Sequence, residues 1–265
     1  MEIIGFFLSV LIGISLGLLG SGGSILTIPI LVYVFHLSPS DATVYSLFVV
    51  GTSSLAGTIN GAKHHLLDYK TALYFGLPSV FSIFFMRQFI VPFLPEVWLT
   101  FSKFRLTTDL LIMALFSVLM ILASFSMIKK REIVSTITIE IKYSSLIIKG
   151  VFIGLLTGFV GVGGGFLIIP TLLFSAKLPM KNAVATSLVI IVFNSLLGFL
   201  GSLTKTTIHW DFLLLFSAFA IVGVFIGMYI SKFISNEKLK PIFGWFVLLT
   251  GIYIVMKEIV FKFDF

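Results

Sequence analysis

From residue 3 to residue 62 the chain carries one formally charged side chain, Asp41. Within that run, residues 3–37 are broken only by Gly20-Ser21-Gly22-Gly23, a stretch too long for one simple helix across a bilayer, since about 20 residues suffice to cross the hydrocarbon core. A soluble element needs a charged face, and this segment has none. The rest of the chain agrees. Of 265 residues, 58% are hydrophobic and 11% charged, against the roughly 45–50% apolar usual for soluble domains, and the mean hydropathy is +1.15. Further apolar segments fall at about 42–60, 71–93 and 106–128, then, after a basic connector, at 147–176, 183–203, 212–230 and 241–260. These patterns predict an all-α, polytopic membrane protein of about eight spans. The first segment lacks a basic n-region and an A-x-A type cleavage site, so it reads as a span and not as a signal peptide.

The pattern restarts within the chain. GLLGSGGSILTIPIL at residues 17–31 lies over GFVGVGGGFLIIPTL at residues 158–172, with a constant offset of 141. Without gaps, residues 10–86 give 21 identities in 77 positions at that offset, among them Gly17, Gly20, Gly22, Gly23, Pro29, Ala42, Ser46, Ser54 and Gly57. Shared Leu/Ile/Phe composition explains some aliphatic matches, but not the matched glycines and proline. The expected organisation is a first repeat at 1–128, a connector at 129–146 and a second repeat at 147–265.

Charge speaks to topology. With four crossings per half, the 18 Lys and Arg divide 10 to 8 between the two sides. If the glycine break turns the chain back, each half has five passes, the halves are inverted, and the division becomes 12 to 6. The positive-inside rule favours the inverted arrangement with the connector cytoplasmic. The formal charge of +7 is scattered, so anionic lipid headgroups are the expected partner and nucleic acid is not. With no cysteine, disulfides, thiolate metal sites and Cys nucleophiles are excluded together.

Glycine- and proline-interrupted segments at matching positions of two repeats point to a transporter's binding site. In hydrocarbon, irregular backbone is tolerated only where protein, water or a ligand satisfies it. Successive glycines let amides converge, and a helix starting just after them adds its positive end. The loops Gly20, Ser21, Gly22, Gly23, Ser24 and Gly161, Gly163, Gly164, Gly165 are therefore expected to hold one small anion between them. Ser21 and Ser24 add hydroxyls from the first copy only. The competing reading is that the glycines merely let helices pack closely. Pro29 and Pro170 are expected in or near the first turn of the following half-helix, where a missing N–H costs least.

The second span of each half shows a matching small and polar face: Ala42, Ser46, Ser53, Gly57 and Asn60, then Ala183, Ser187, Asn194, Gly198 and Gly201. Such a face suits either a packing seam or a substrate lining. Of these residues, Ser46, Ser53, Ser187 and Asn194 are the candidate ligands, and the amide of Asn194 can donate two hydrogen bonds to an anion or clamp a neighbouring backbone carbonyl. Arg87 lies six residues before Phe93, roughly 9 Å at helical rise, so its side chain is expected to snorkel to the interface. No Asp or Glu sits deep in a span, which leaves no carboxylate proton relay; coupling to protons remains open if the anion carries the proton. His209, Trp210 and Tyr69 read as interfacial anchors. No metal-ligand spacing, activated nucleophile or Walker A motif occurs, so no metal, cofactor or catalytic residue is expected.

At these same residues the sequence resembles the TauE/SafE-type sulfite exporter family. The resemblance rests on the duplicated glycine motif, each copy followed by an A-T-S-L type segment, here DATVYSLFVVGTSSLAG and NAVATSLVIIVFNSLLG. Tyr45 stands where that pattern has the threonine that Thr186 retains, and the third span ends FFMRQF in place of a glycine-bearing stretch. The resemblance implies a duplicated helical transporter moving small sulfur-containing anions, such as sulfite or organosulfonates, across the cytoplasmic membrane, commonly outward. A membrane-embedded enzyme and a non-transporting scaffold are the rival readings. Association into a homo-oligomer is left open by the sequence.

Overall fold

The computed structural model describes residues 2–20, 22–101, 104–128, 143–203, 208–234 and 236–257. The fold is an all-α, multi-pass membrane architecture. Helices α1 (Glu2–Leu19), α2 (Gly22–Tyr33), α3 (Pro39–Lys63), α4 (Tyr69–Phe85) and α5 (Thr108–Ile128) precede the connector. Helices α6 (Tyr143–Val160), α7 (Gly165–Ser175), α8 (Met180–Ser202), α9 (Trp210–Ser231) and α10 (Asn236–Val255) follow it. Among the described residues, six helical stretches are long and apolar enough to cross a membrane: Pro39–Lys63, Tyr69–Phe93, Thr108–Phe125, Tyr143–Val160, Met180–Ser202 and Trp210–Ser231. Four shorter apolar stretches, Gly5–Leu19, Gly23–Tyr33, Gly165–Ser175 and Gly244–Val255, accompany them. Phe81, Phe125, Phe193, Phe225 and Leu249 point outward, as a surface bathed in hydrocarbon requires.

The segments expected at 42–60, 71–93, 106–128, 183–203 and 212–230 each coincide with one long apolar stretch, while those at 3–37 and 147–176 are each divided into two helices at glycine. Between α4 and α5 the chain forms an antiparallel hairpin, β1 (Val97–Phe101) and β2 (Phe104–Thr107). Val97, Trp98, Leu99, Arg105, Leu106 and Thr107 are partly or wholly exposed, and Glu96 and Arg105 mark the hairpin as lying beyond the apolar span. Ser21, residues 129–142 of the connector and residues 258–265 beyond α10 lie outside the described residues.

The glycine breaks turn the chain back on itself. Gly20 and Gly161 take left-handed φ values of 71° and 77°. Their N–H groups donate to Leu16 O at 2.7 Å and to Thr157 O at 2.8 Å, which closes α1 and α6 in the manner of a glycine C-cap. After the first turn, Gly23 lies against α1, where an added Cβ would come within 2.7 Å of Ile12 O. Further on, the Phe35 ring abuts Gly5 near the start of α1. Helix α2 thus runs back along α1.

The reversing helices end alike. His36 and Lys177 hold φ values of 56° and 52°, while Leu37 N–H donates to Leu31 O at 3.1 Å and Leu178 N–H to Leu172 O at 3.3 Å. Each helix thus closes with a left-handed residue that is not glycine and a bond spanning six residues, one wider than the Schellman bond. The prolines do not sit where the sequence suggested. Pro29 lies inside α2 and Pro170 inside α7, as the eighth and sixth residues of those helices. The helices begin on the glycines themselves, so each proline falls mid-helix and withholds one hydrogen bond from the carbonyl four residues earlier.

Contacts across the halves give the packing. Helix α1 packs on α9, α4 on α6, α3 on α8 and α5 on α10. The first two pairs run parallel: Gly13 meets Ala220 and Gly17 meets Val224, while Gly150 meets Phe75 and Gly154 meets Ser79. Helices α3 and α8 run antiparallel, since Gly51 meets Ser195, Gly57 meets Leu188 and Gly61 meets Ala185. At the parallel pairs the backbones nearly touch. A Cβ on Gly150 or Gly154 would lie 2.5 Å from the carbonyl oxygen of Phe75 or Ser79. The Gly150-x-x-x-Gly154 spacing is a small-residue seam, the way helices associate where no hydrophobic force separates them from lipid.

The departure at Tyr45 has a structural equivalent. His209 N–H donates to Tyr45 Oη at 2.8 Å, and Asp68 N–H donates to Thr186 Oγ1 at 3.0 Å. Both pairs are related by the offset of 141. The phenol reaches the amide before α9 just as the threonine hydroxyl reaches the amide before α4.

Candidate functional site

The two glycine turns seat on the paired α3 and α8 helices. A Cβ on Gly20 would come within 2.5 Å of Val184 on α8, and one on Gly161 would overlap Thr43 on α3. Thr43 and Val184 lie near the starts of antiparallel helices, so the turns begin at opposite ends of the pair. Gly61 faces Ala185 at 3.1 Å, and the 18 residues from Thr43 to Gly61 span about 27 Å of helix. Gly20 and Gly161 are therefore far apart.

From these ends the chain leads inward. Gly163, with φ 68°, abuts the Ser195 hydroxyl, with Val50 at 3.5 Å from its Cβ position. Gly164, with φ 83°, precedes α7, whose N-terminus has no side-chain cap. Gly164 O accepts from Leu167 and Ile168 N–H, each at 3.0 Å, while the amides of Gly165 and Phe166 stand ahead of any helical acceptor. Helix α2, beginning at Gly22 and Gly23, packs beside α7. Ser24 is buried. Ser21 and the side chain of Asn60 lie outside the described residues.

The α3–α8 pair is rich in buried hydroxyls, of which that of Ser195 abuts Gly163. Ser46, Ser53, Ser54 and Ser195 are each buried to 1% exposure or less, and none of their hydroxyls has a hydrogen-bond partner among the described residues. A buried, unpaired hydroxyl costs about 1–3 kcal/mol, so four in one crossing are not accounted for by packing. Two other candidates are engaged elsewhere. Ser187 Oγ donates to Val184 O at 2.8 Å, within its own helix. Asn194 Nδ2 donates to Ser79 Oγ at 2.8 Å, clamping α8 to α4, while its Oδ1 has no partner among the described residues. Asn194 bonds a neighbouring hydroxyl, where the sequence offered an anion or a carbonyl.

Arg87 does not snorkel. It is 2% exposed and stands in a π-helical turn, Met86–Ile90, that continues α4. Its Nη1 donates to Thr43 Oγ1 at 3.0 Å. Its Nη2 faces Gly161, where a Cβ would overlap it. Single π-turns commonly re-aim a side chain at a functional position, and here the extra residue carries Arg87 inward. Its chemistry was visible in the sequence as an intramembrane charge, but its direction was not, because regular helical rise predicts a side chain within reach of the interface. Ser54 and Ser195 were visible only as an identity at the offset of 141.

A separate groove of about 750 Å³ opens between α4 and α8, lined by Leu73, Leu77, Phe81, Phe84, Phe193 and Leu197, with Tyr69 and Lys70 also on its wall. Its lining is almost wholly apolar, with Tyr69 and Lys70 as its polar side chains.

Comparison with known proteins agrees with this architecture. Three relatives are each named a "probable membrane transporter protein": one from Xylella fastidiosa is 28% identical over 258 residues, covering 94% of this chain and 92% of its own; one from Methanocaldococcus jannaschii is 31% identical over 209 residues, covering 76% and 73%; and one from Bacillus subtilis is 26% identical over 240 residues, covering 91% and 93%. Their names indicate transport and not catalysis. No solved structure matches. The family model for the sulfite exporter TauE/SafE family matches residues 5–254, and with nearly the whole chain covered, the protein belongs to that family.

Proposed function

We propose that this protein is a secondary transporter or facilitator that moves a small anion, sulfite or an organosulfonate, across the cytoplasmic membrane of a prokaryotic cell. The observation that carries the reading is the meeting of Gly163 with the unpaired hydroxyl of Ser195 on α8, beside an α3 helix that carries the further buried, unpaired hydroxyls of Ser46, Ser53 and Ser54. Hydroxyls and uncapped amides are donors suited to an oxyanion, and they stand at a place no lipid reaches. The family's name supplies the sulfur, since hydroxyls and amides alone do not distinguish sulfite from other oxyanions.

In this reading the chain comprises eight hydrophobic segments in two duplicated halves, the first segment of each half being a helix pair reversed at glycine. The parallel α1/α9 and α4/α6 pairs and the antiparallel α3/α8 pair support an inverted relation between the halves. Rocking one half against the other would then expose the crossing to alternate faces. Gly22, Gly23, Gly163, Gly164 and Gly165 supply backbone donors, with Ser46 and Ser53 on the α3 wall. Gly20 and Gly161 end α1 and α6 and so aim the turns. Ser21 and Ser24 add hydroxyls from the first loop, and Ser187 and Asn194 reach the anion only by exchanging their present partners.

The test is sulfite flux into proteoliposomes carrying the intact chain, with sulfate, thiosulfate and small sulfonates as competitors. Saturable flux with competition by sulfonates is expected. Flux equal to that of protein-free vesicles for every anion, with the protein shown to be folded, would overturn the reading.

A further inference from the structure

We infer that Arg87 is the cationic ligand of the transported oxyanion, gripping it through the Nε–Nη2 edge of its guanidinium at the Gly161 turn. The inference rests on the proposed anion transport and names the group that selects the anion. Arg87 is 2% exposed and makes one side-chain hydrogen bond, from Nη1 to Thr43 Oγ1 at 3.0 Å. Its Nε and Nη2 have no partner among the described residues, and no described carboxylate pairs with it. These two atoms share one edge of the planar group, the edge from which arginine donates two parallel bonds to a carboxylate, phosphate or sulfonate. Thr43 holds the opposite corner and fixes the plane.

The Gly161 turn packs directly against that buried edge. Gly161 has no Cβ, and one there would overlap Nη2. Two residues further on, Gly163 abuts the unpaired Ser195 hydroxyl, so cation and hydroxyl lie along one turn. A buried charge without a counter-ion is costly, and inside a membrane such a charge is retained for a function. The Gly20 turn has no equivalent: at the offset of 141, Met228 corresponds to Arg87 and Val184 to Thr43, and Gly20 rests on Val184. The cationic site is therefore single and belongs to the Gly161 turn. Because the fork fits two oxygens of one head group and not a spherical ion, it also confers preference for oxyanions over halide.

The experiment compares the intact wild type with Arg87→Met and Arg87→Lys, measuring sulfite flux and its inhibition by methanesulfonate and by chloride. Vesicles of phosphatidylcholine alone and of phosphatidylcholine with phosphatidylglycerol are used in parallel. Arg87→Met is expected to raise the half-saturating sulfite concentration at least ~10-fold. Arg87→Lys, which keeps the charge and loses the fork, is expected to retain flux but to narrow the preference for methanesulfonate over chloride. Wild-type affinity in a folded Arg87→Met, or an unchanged preference in Arg87→Lys, overturns the assignment while leaving anion transport standing. Should Arg87→Met fail to fold, the preference of Arg87→Lys decides alone. A wild type without flux overturns both readings. A wild-type/Met difference confined to the anionic vesicles assigns Arg87 to a lipid headgroup and also overturns the proposal.

Discussion

Replacing Gly163 by alanine tests the turn geometry in a way that separates its two costs. Gly163 has φ 68°, and a Cβ there would overlap Ser195 Oγ while lying at ordinary contact, 3.5 Å, from Ser195 Cβ and Val50 Cγ1. The left-handed conformation costs a residue with a Cβ about 1–2 kcal/mol. The overlap is with the end of a rotatable side chain, so it is relieved by turning χ1 of Ser195, for at most about 1 kcal/mol. The sum, about 1–3 kcal/mol, is well below the about 5–15 kcal/mol that holds a domain together, so the protein folds with its Ser195 hydroxyl displaced. Ser195→Ala alone is expected to be neutral or stabilising by up to about 1–3 kcal/mol, because it removes a buried hydroxyl that has no partner among the described residues. The double variant then keeps the strain and sheds the overlap, and so is more stable than Gly163→Ala. Thermal unfolding of the purified chains in one detergent reads all three. Wild-type stability for Gly163→Ala would refute the left-handed turn, and a double variant less stable than Gly163→Ala would refute Ser195 as the neighbour.

Three further outcomes follow from the packing. Tyr45→Phe removes the acceptor of His209 N–H and is expected to cost about 1 kcal/mol by the same unfolding measurement, with sulfite flux little changed. Gly154→Leu, which forces a side chain between α6 and the Ser79 carbonyl oxygen, is expected to abolish recovery of folded protein, read by size-exclusion profile. Because the chain contains no cysteine, single cysteines report topology cleanly: His36→Cys and Lys177→Cys should label from opposite membrane faces with an impermeant thiol reagent, and labelling from the same face would refute the inverted arrangement.

How much of this was legible beforehand differs by residue. Helix positions were, because hydrocarbon solvent leaves the backbone one economical solution per apolar run, and the Gly20 and Gly161 breaks mark where it fails. The reversal at those glycines was suggested by the 12 to 6 charge division and follows from left-handed turns that composition cannot reveal. The Pro29 and Pro170 expectation failed because glycine was taken to delay the helix, whereas Gly22 and Gly165 begin it. Arg87 failed for a similar reason: one π-turn rotates a side chain off the face that regular periodicity assigns. The A-T-S-L deviation at Tyr45 is visible in the sequence, but only the backbone of residue 209 shows that the longer side chain reaches the amide equivalent to the one Thr186 reaches. For the candidate ligands, sequence spacing grouped residues by helix face. It could not tell Ser53, which is unpaired, from Ser187, which bonds its own helix.

The central claim is that an anion crosses by way of the Gly161–Gly165 turn and the α3–α8 hydroxyls. Its most direct test is sulfite flux into proteoliposomes carrying either the wild type or Gly163→Val, with both proteins shown to be folded and inserted to the same extent. The account predicts saturable flux in the wild type and its loss in the variant, whose side chain would occupy the space beside Ser195. Equal saturable flux in the two would contradict it and leave the glycine turn as a device for reversing the chain.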